Sequence, residues 1–174
     1  MALSQPTGRP IEDYPMDSDA LIIVKMLDRL LENVIASYES MQVPLPTRRY
    51  WMLGAEVPED CEQVVVTYIQ SYLGVPGDAA AQAQQCNAPR TGVFNVVVTR
   101  DHPVGENGKA VSPERIITAS KWGAVDNAVL LWSLDTLNTM EDGWKGPGVI
   151  ATVNTLPPNG GVQSTVLNIS LVLG

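Results

Sequence analysis

The sequence predicts an α+β domain: a mixed or antiparallel β-sheet with an N-terminal helix, a long helix packed on one face and a C-terminal β-hairpin. Three observations carry that expectation. Apolar residues recur at helical spacing over residues 19–40 and again over 113–138. β-Branched and aromatic residues concentrate in short runs between and after the helices. Strand runs come grouped, with the helices set apart, rather than in strict alternation.

The first element is preceded by an arm. Residues 1–18 carry Pro6, Pro10 and Pro15 with Gly8 among polar residues, and they are expected to be extended. Residues 19–174 form the single folded domain. Asp17, Ser18 and Asp19 supply N-cap candidates and set negative charge at the positive end of the helix dipole. Ala20, Val24, Leu27, Leu31, Val34 and Tyr38 then repeat at steps of 4, 3, 4, 3 and 4, a heptad seam broadened by Ile23, Leu30 and Ile35. Two readings fit that seam: packing on the chain's own sheet, or packing on the sheet and on a neighbouring subunit as well.

Pro44 and Pro46 end the helical region, and Arg48, Arg49, Tyr50 and Trp51 open an extended segment. Residues 62–72 alternate as a strand, and 92–100 form a second. Between them, Val75-Pro76-Gly77-Asp78 is a turn, and the run Ala79–Gln85 suits either a helical turn or a mobile loop. The 101–111 segment, with Pro103, Gly105, Asn107 and Gly108, reads as a flexible loop. The second helix follows Ser112 as cap and Pro113 at the first helical position. Its Trp122, Val125, Val129 and Trp132, beside the row Ile117, Ala124, Ala128 and Leu131, predict a broad core-facing surface with both tryptophans inside. Residues 149–154 and 162–173 form the hairpin around Leu156–Gly161. Thr165, Leu167, Ile169, Leu171 and Leu173 share one face of it, and Asn168 and Ser170 lie on a partly wet one.

The chain has 174 residues and a net charge of -8. Its length lets it bury roughly 70% of its unfolded surface without staples. The acidic balance argues against gripping phosphate backbones or anionic membranes, which needs clustered Lys and Arg. No apolar run reaches the ~18 residues of a membrane span. The N-terminal residues lack a secretory signal, so a cytoplasmic origin is expected. Cys61 and Cys86 lack zinc spacing; they read as reduced thiols, or as a bridge formed after release from the cell.

Reactive constellations are sparse. His102, the one histidine, lies in a Pro/Gly loop beside Asp101, and a solvated role is expected for it. Gly105-Glu-Asn-Gly108-Lys109-Ala110 has the wrong spacing for a phosphate loop. Glu56 with Glu59 and Asp60, and Glu141 with Asp142, read as solvated carboxylates without a partner to raise one of them. No metal-ligand spacing is present, and neither catalytic residues nor a cofactor are expected. Weight therefore moves to binding and assembly. Arg48, Arg49 and Arg90 are candidates for salt-dependent contacts between subunits, His102 lies in a candidate contact loop, and Trp144 in its Gly/Pro loop is a candidate interface anchor.

Dispersed motifs carry a resemblance. Asp60-Cys-Glu-Gln-Val-Val-Val66, Tyr72-Leu-Gly-Val-Pro-Gly77, Cys86 with Pro89-Arg90, and Phe94-Asn-Val96 form its centre. Ser37-Tyr38, Val43-Pro-Leu-Pro46, Gly148-Val-Ile-Ala151 and Gly160-Gly161 flank them. Together they resemble tail terminator proteins of long-tailed phages that infect actinobacteria, over roughly residues 20–174. Lambda-like tail terminators are similar in element order as well. The resemblance implies a homohexameric ring that caps the tail tube, ends its polymerisation and offers a surface to the head-side neck protein, without cofactor or reaction. It implies a place in the virion neck at the top of the tail, with DNA passing through the lumen without specific binding. An acidic channel wall would let phosphates slide past. The arm before residue 19 is longer than in the smallest members of that family. A stopper-type connector subunit is the alternative, and a small enzyme using His102 with Asp101 is a third reading.

Overall fold

In the computed structural model, residues 19–58, 60, 62–77, 88–105, 110–139 and 149–173 are described. The expected arm, Cys61, Cys86, the Ala79–Gln85 run and Trp144 lie outside them. Two helices and five strands follow in the order α1 (Asp19–Ser40), β1 (Arg48–Leu53), β2 (Gln63–Leu73), β3 (Arg90–Asp101), α2 (Pro113–Thr139), β4 (Ile150–Thr155) and β5 (Val162–Leu173). The α+β class, the early helix, the long helix and the closing strand pair are as the sequence predicts.

The helix ends follow from local chemistry. Arg115 and Ile116 donate their first backbone bonds to the Ser112 carbonyl, and Pro113, which has no N–H to satisfy, opens α2. At the other end of α1, Val43 N–H reaches the Tyr38 carbonyl at 3.0 Å and Gln42 N–H reaches Glu39 at 3.1 Å. This is a Schellman closure, and it places Gln42 at φ 56° where glycine is the usual occupant.

The sheet order is β1-β2-β3-β5-β4. β2, β3 and β5 are long and antiparallel, and β4 closes the predicted hairpin against β5. The extended segment at Arg48 is the surprise. It becomes an edge strand running parallel to β2, with Arg48 beside Gln63 and Leu53 beside Tyr68. A parallel neighbour requires the chain to cross back over one face of the sheet. Of that crossing, Val57 and Pro58 lie on the face away from the helices. They line a small cavity there, of about 160 Å³, with Val97, Thr99 and Ser164. Gln63 Nε2 donates to the Pro58 carbonyl at 2.6 Å. Val65 and Thr67, which point to this same face, are fully buried.

The main core lies between the helices and the opposite face. Leu27, Leu30, Val34 and Tyr38 of α1 meet Val64 and Val66 of β2, Phe94, Val96 and Val98 of β3, and Leu167, Ile169 and Leu171 of β5. Val24 and Leu31 of the predicted seam are only half-buried, and Asn33 and Ser37 take their place inside. Asn33 Nδ2 donates to the Ser133 carbonyl at 2.6 Å, and Tyr38 reaches Asp126. These contacts make α1 and α2 antiparallel.

The inward face of α2 corrects the expectation. Ala119, Gly123, Asp126, Leu130, Ser133 and Leu137 turn inward, with Val129 beside them. Trp122 is 38% exposed and Trp132 is 48% exposed, and Ile117, Ala124, Ala128 and Leu131 are exposed too. The reason is closeness. A Cβ on Gly123 would lie 3.2 Å from Thr155 Cγ2, a tight contact that favours a small residue at that position. A helix approaching this tightly buries small and polar residues and leaves its bulkiest ones outside.

Candidate assembly surfaces and a buried ion-pair network

Interface candidates divide into the sheet edges, the outer row of α2 and the loop at His102. β1 and β4 are the two edge strands, each six residues long and paired on one side only among the described strands. β1 begins with Arg48 and Arg49, both exposed, and ends in Tyr50-Trp-Met-Leu53. Trp51 turns toward α1 and donates its indole N–H to Asp28 at 2.6 Å. β4 carries no charge and no proline. Such a strand lacks the usual defences against edge pairing.

The structure separates the arginines. Arg48 is engaged by Asp60 within the chain, and both side chains stay exposed to solvent, so Asp60 is a solvated carboxylate paired with a cation. Arg49 is exposed on the helix-side face of the same edge. Arg90 opens β3 beside Leu73 and Leu173, at the far end of the sheet from Arg100. His102 is half-buried rather than fully solvated: its backbone N–H donates to the Gly161 carbonyl at 2.8 Å, and its Nδ1 lies 3.1 Å from the Pro103 carbonyl. Close by, Asp101, Pro103, Glu114, Arg115, Thr118 and Trp122 border an open cleft of about 340 Å³.

Beneath that cleft is a network the sequence reading missed. Arg100 points from β3 to the helices and is buried. Its Nε donates to Asp126 Oδ2 at 3.1 Å and its Nη2 to Asp126 Oδ1 at 2.9 Å. Nη2 also meets the Pro44 carbonyl at 2.9 Å, and Nη1 meets Glu62 Oε2 at 3.0 Å. Tyr38 donates its hydroxyl to Asp126 Oδ1 at 2.7 Å. The guanidinium carbon lies 5.3 Å from the Trp122 ring centroid and 5.8 Å from that of Tyr38. Glu62 holds φ at 54°, an uncommon backbone for glutamate. Its carbonyl accepts from Arg48 N–H at 3.1 Å while its carboxylate faces Arg100.

Electrostatics make this network a clamp rather than an acid/base pair. Burial, then the adjacent Asp126 charge, raises the Tyr38 phenol well above its ordinary value, so it stays protonated. Burial alone would lower the Arg100 pKa. The hydrogen bonds and charge of Asp126, with Tyr38 and Glu62, outweigh it and hold it above the ordinary range. Both Asp126 oxygens are occupied by donors. The clamp joins α1, α2, β3 and the segments flanking β1. The signal available in the sequence was Asp126 as the sole charge between Lys121 and Asp135 of α2, and Arg100 just after the apolar run Val96–Val98 of β3. Each residue type is seldom buried unless paired.

Among the described residues, no three His, Cys, Asp or Glu side chains gather as metal ligands, and no helix is long and apolar enough to cross a membrane. Comparison with protein-family models and with curated proteins finds no match.

Proposed function

We propose that this chain is a structural virion subunit that assembles into a homo-oligomeric ring, a hexamer, capping the tail tube. The ring ends tube polymerisation and joins the tail to the head-side neck. The observation that carries the reading is the layering: an N-terminal helix and a later long helix share one face of a sheet closed by a C-terminal hairpin. That is the element order that the resemblance to lambda-like tail terminators implies. The outer row of α2 supports it, because Ile117, Leu131 and Trp132 leave apolar surface beyond what the domain's own core uses. In this reading the subunit sits at the top of the tail and is assembled in the host cytoplasm. Its partners are its own copies, the major tail tube protein and the head-side neck protein, and DNA passes the lumen without specific binding. It acts without a cofactor and catalyses no reaction.

The test is capping itself. Purified protein added to polymerising tail tube protein should bind tube ends and stop growth. Binding to DNA-filled heads but not to tubes would instead identify a head-side stopper. If His102→Ala abolished the biological activity while assembly stayed intact, the structural reading would fail.

A further inference from the structure

We infer that copies of this chain join through their sheets, β4 of one copy pairing antiparallel with β1 of the next. The inference rests on the ring reading and names its seam. The polarity of the two edge strands sets the pairing. β1 runs parallel to β2, while β2/β3, β3/β5 and β5/β4 are antiparallel. The two outer strands therefore point in opposite directions, and copies placed side by side in the same orientation meet antiparallel.

Face parity then limits the register. Residues directly opposite across a ladder share a face. Ile150 lies opposite Ser170, on the face away from the helices, and Met52 lies on that face through Thr67 and Asn95. Ile150 can therefore face Met52 but not Leu53. Apolar matching selects among the allowed registers. Leu53 is 62% exposed, Ile150 46% and Val149 37%, all at the ends of their strands that this arrangement brings together. Setting Ile150 opposite Met52 sets Val149 opposite Leu53, Ala151 opposite Trp51, and Asn154 opposite Arg48. Exposed apolar side chains then cover one another at one end of the seam, while at the other Arg48 meets Asn154 and Arg49 lies opposite Val153. Pairing β4 with its own copy around Thr152 would instead face Ile150 with Asn154. It would also leave Leu53 uncovered and the β1 edge open. The heterologous seam uses both edges, and repeated by rotation it closes a ring.

Cysteine cross-linking tests the seam, in a background with Cys61 and Cys86 changed to serine. Within one molecule Ile150 and Met52 are separated by four inter-strand steps, about 19 Å. No internal disulfide can span that distance. The double variant I150C/M52C should therefore form a ladder of covalent oligomers on mild oxidation, while I150C or M52C alone stays unlinked. The off-face pair I150C/L53C should link at least tenfold more slowly. Efficient dimers from T152C alone, the position that would meet its own copy, would overturn the seam in favour of β4 against β4. A native-mass oligomer whose I150C/M52C form stays unlinked would overturn the seam and leave the ring. A protein that is monomeric at every concentration and also ignores tail tubes would overturn both.

Discussion

Arg100 on β3 and Asp126 on α2 meet in a bidentate pair, with Nε–Oδ2 at 3.1 Å and Nη2–Oδ1 at 2.9 Å. A buried pair of this kind adds little net stability over an apolar substitute, but losing one partner strands a charge. Arg100→Met alone should cost about 3–5 kcal/mol in urea unfolding. The double variant R100M/D126L should recover much of that loss. A single variant with near-native stability would contradict the clamp.

Tyr38 makes the fold sensitive to alkali. Its folded pKa is raised above the unfolded value of 10.0, chiefly by burial and then by Asp126. The unfolded chain therefore releases this proton first. The contribution is complete below pH ~10 and is lost as pH rises above it, by up to about 1.4 kcal/mol per pH unit. Stability measured from pH ~9 to ~11.5 should fall more steeply for the native chain than for Tyr38→Phe. Parallel slopes would show that Tyr38 ionises freely.

Adjacent leucines on α2 should behave differently. Leu130 is fully buried in the core and Leu131 is half exposed. Leu130→Ala should cost about 2–5 kcal/mol, and Leu131→Ala under about 1 kcal/mol. Thermal or urea unfolding decides this. The reverse order would restore the helix face that the apolar spacing suggests.

Gln42 closes α1 at a backbone angle that suits glycine. Gln42→Gly should raise stability by roughly 0.5–1 kcal/mol, and Gln42→Val should lower it. A destabilised glycine variant would mean that the Gln42 side chain contributes more than its backbone costs.

The regular elements were legible because their signals are local. The spacing from Leu27 to Tyr38, Ser112-Pro113, and the β-branched runs at Val64–Val66 and Val96–Val98 each specify an element without distant partners. The parallel pairing of β1 was not legible, because register with β2 depends on how the chain returns across the sheet after Leu53. The inward face of α2 was misread because hydrophobicity marks Trp122, Leu131 and Trp132, whereas close approach selects Gly123 and Ala119. Arg100 and Asp126 were overlooked because 26 positions separate them and only the fold brings them together. Of the expected interface residues, Arg48 turned out to be held by Asp60, and His102 lies partly covered against Pro103 and Gly161.

Ring assembly by this chain is read first from its mass in solution. Sedimentation or light scattering at near-physiological salt, over a wide concentration range, should give six times the 18.8 kDa subunit. That particle should bind isolated tail tubes at one end. A species of 18.8 kDa at every concentration, indifferent to tail tubes, would contradict the account.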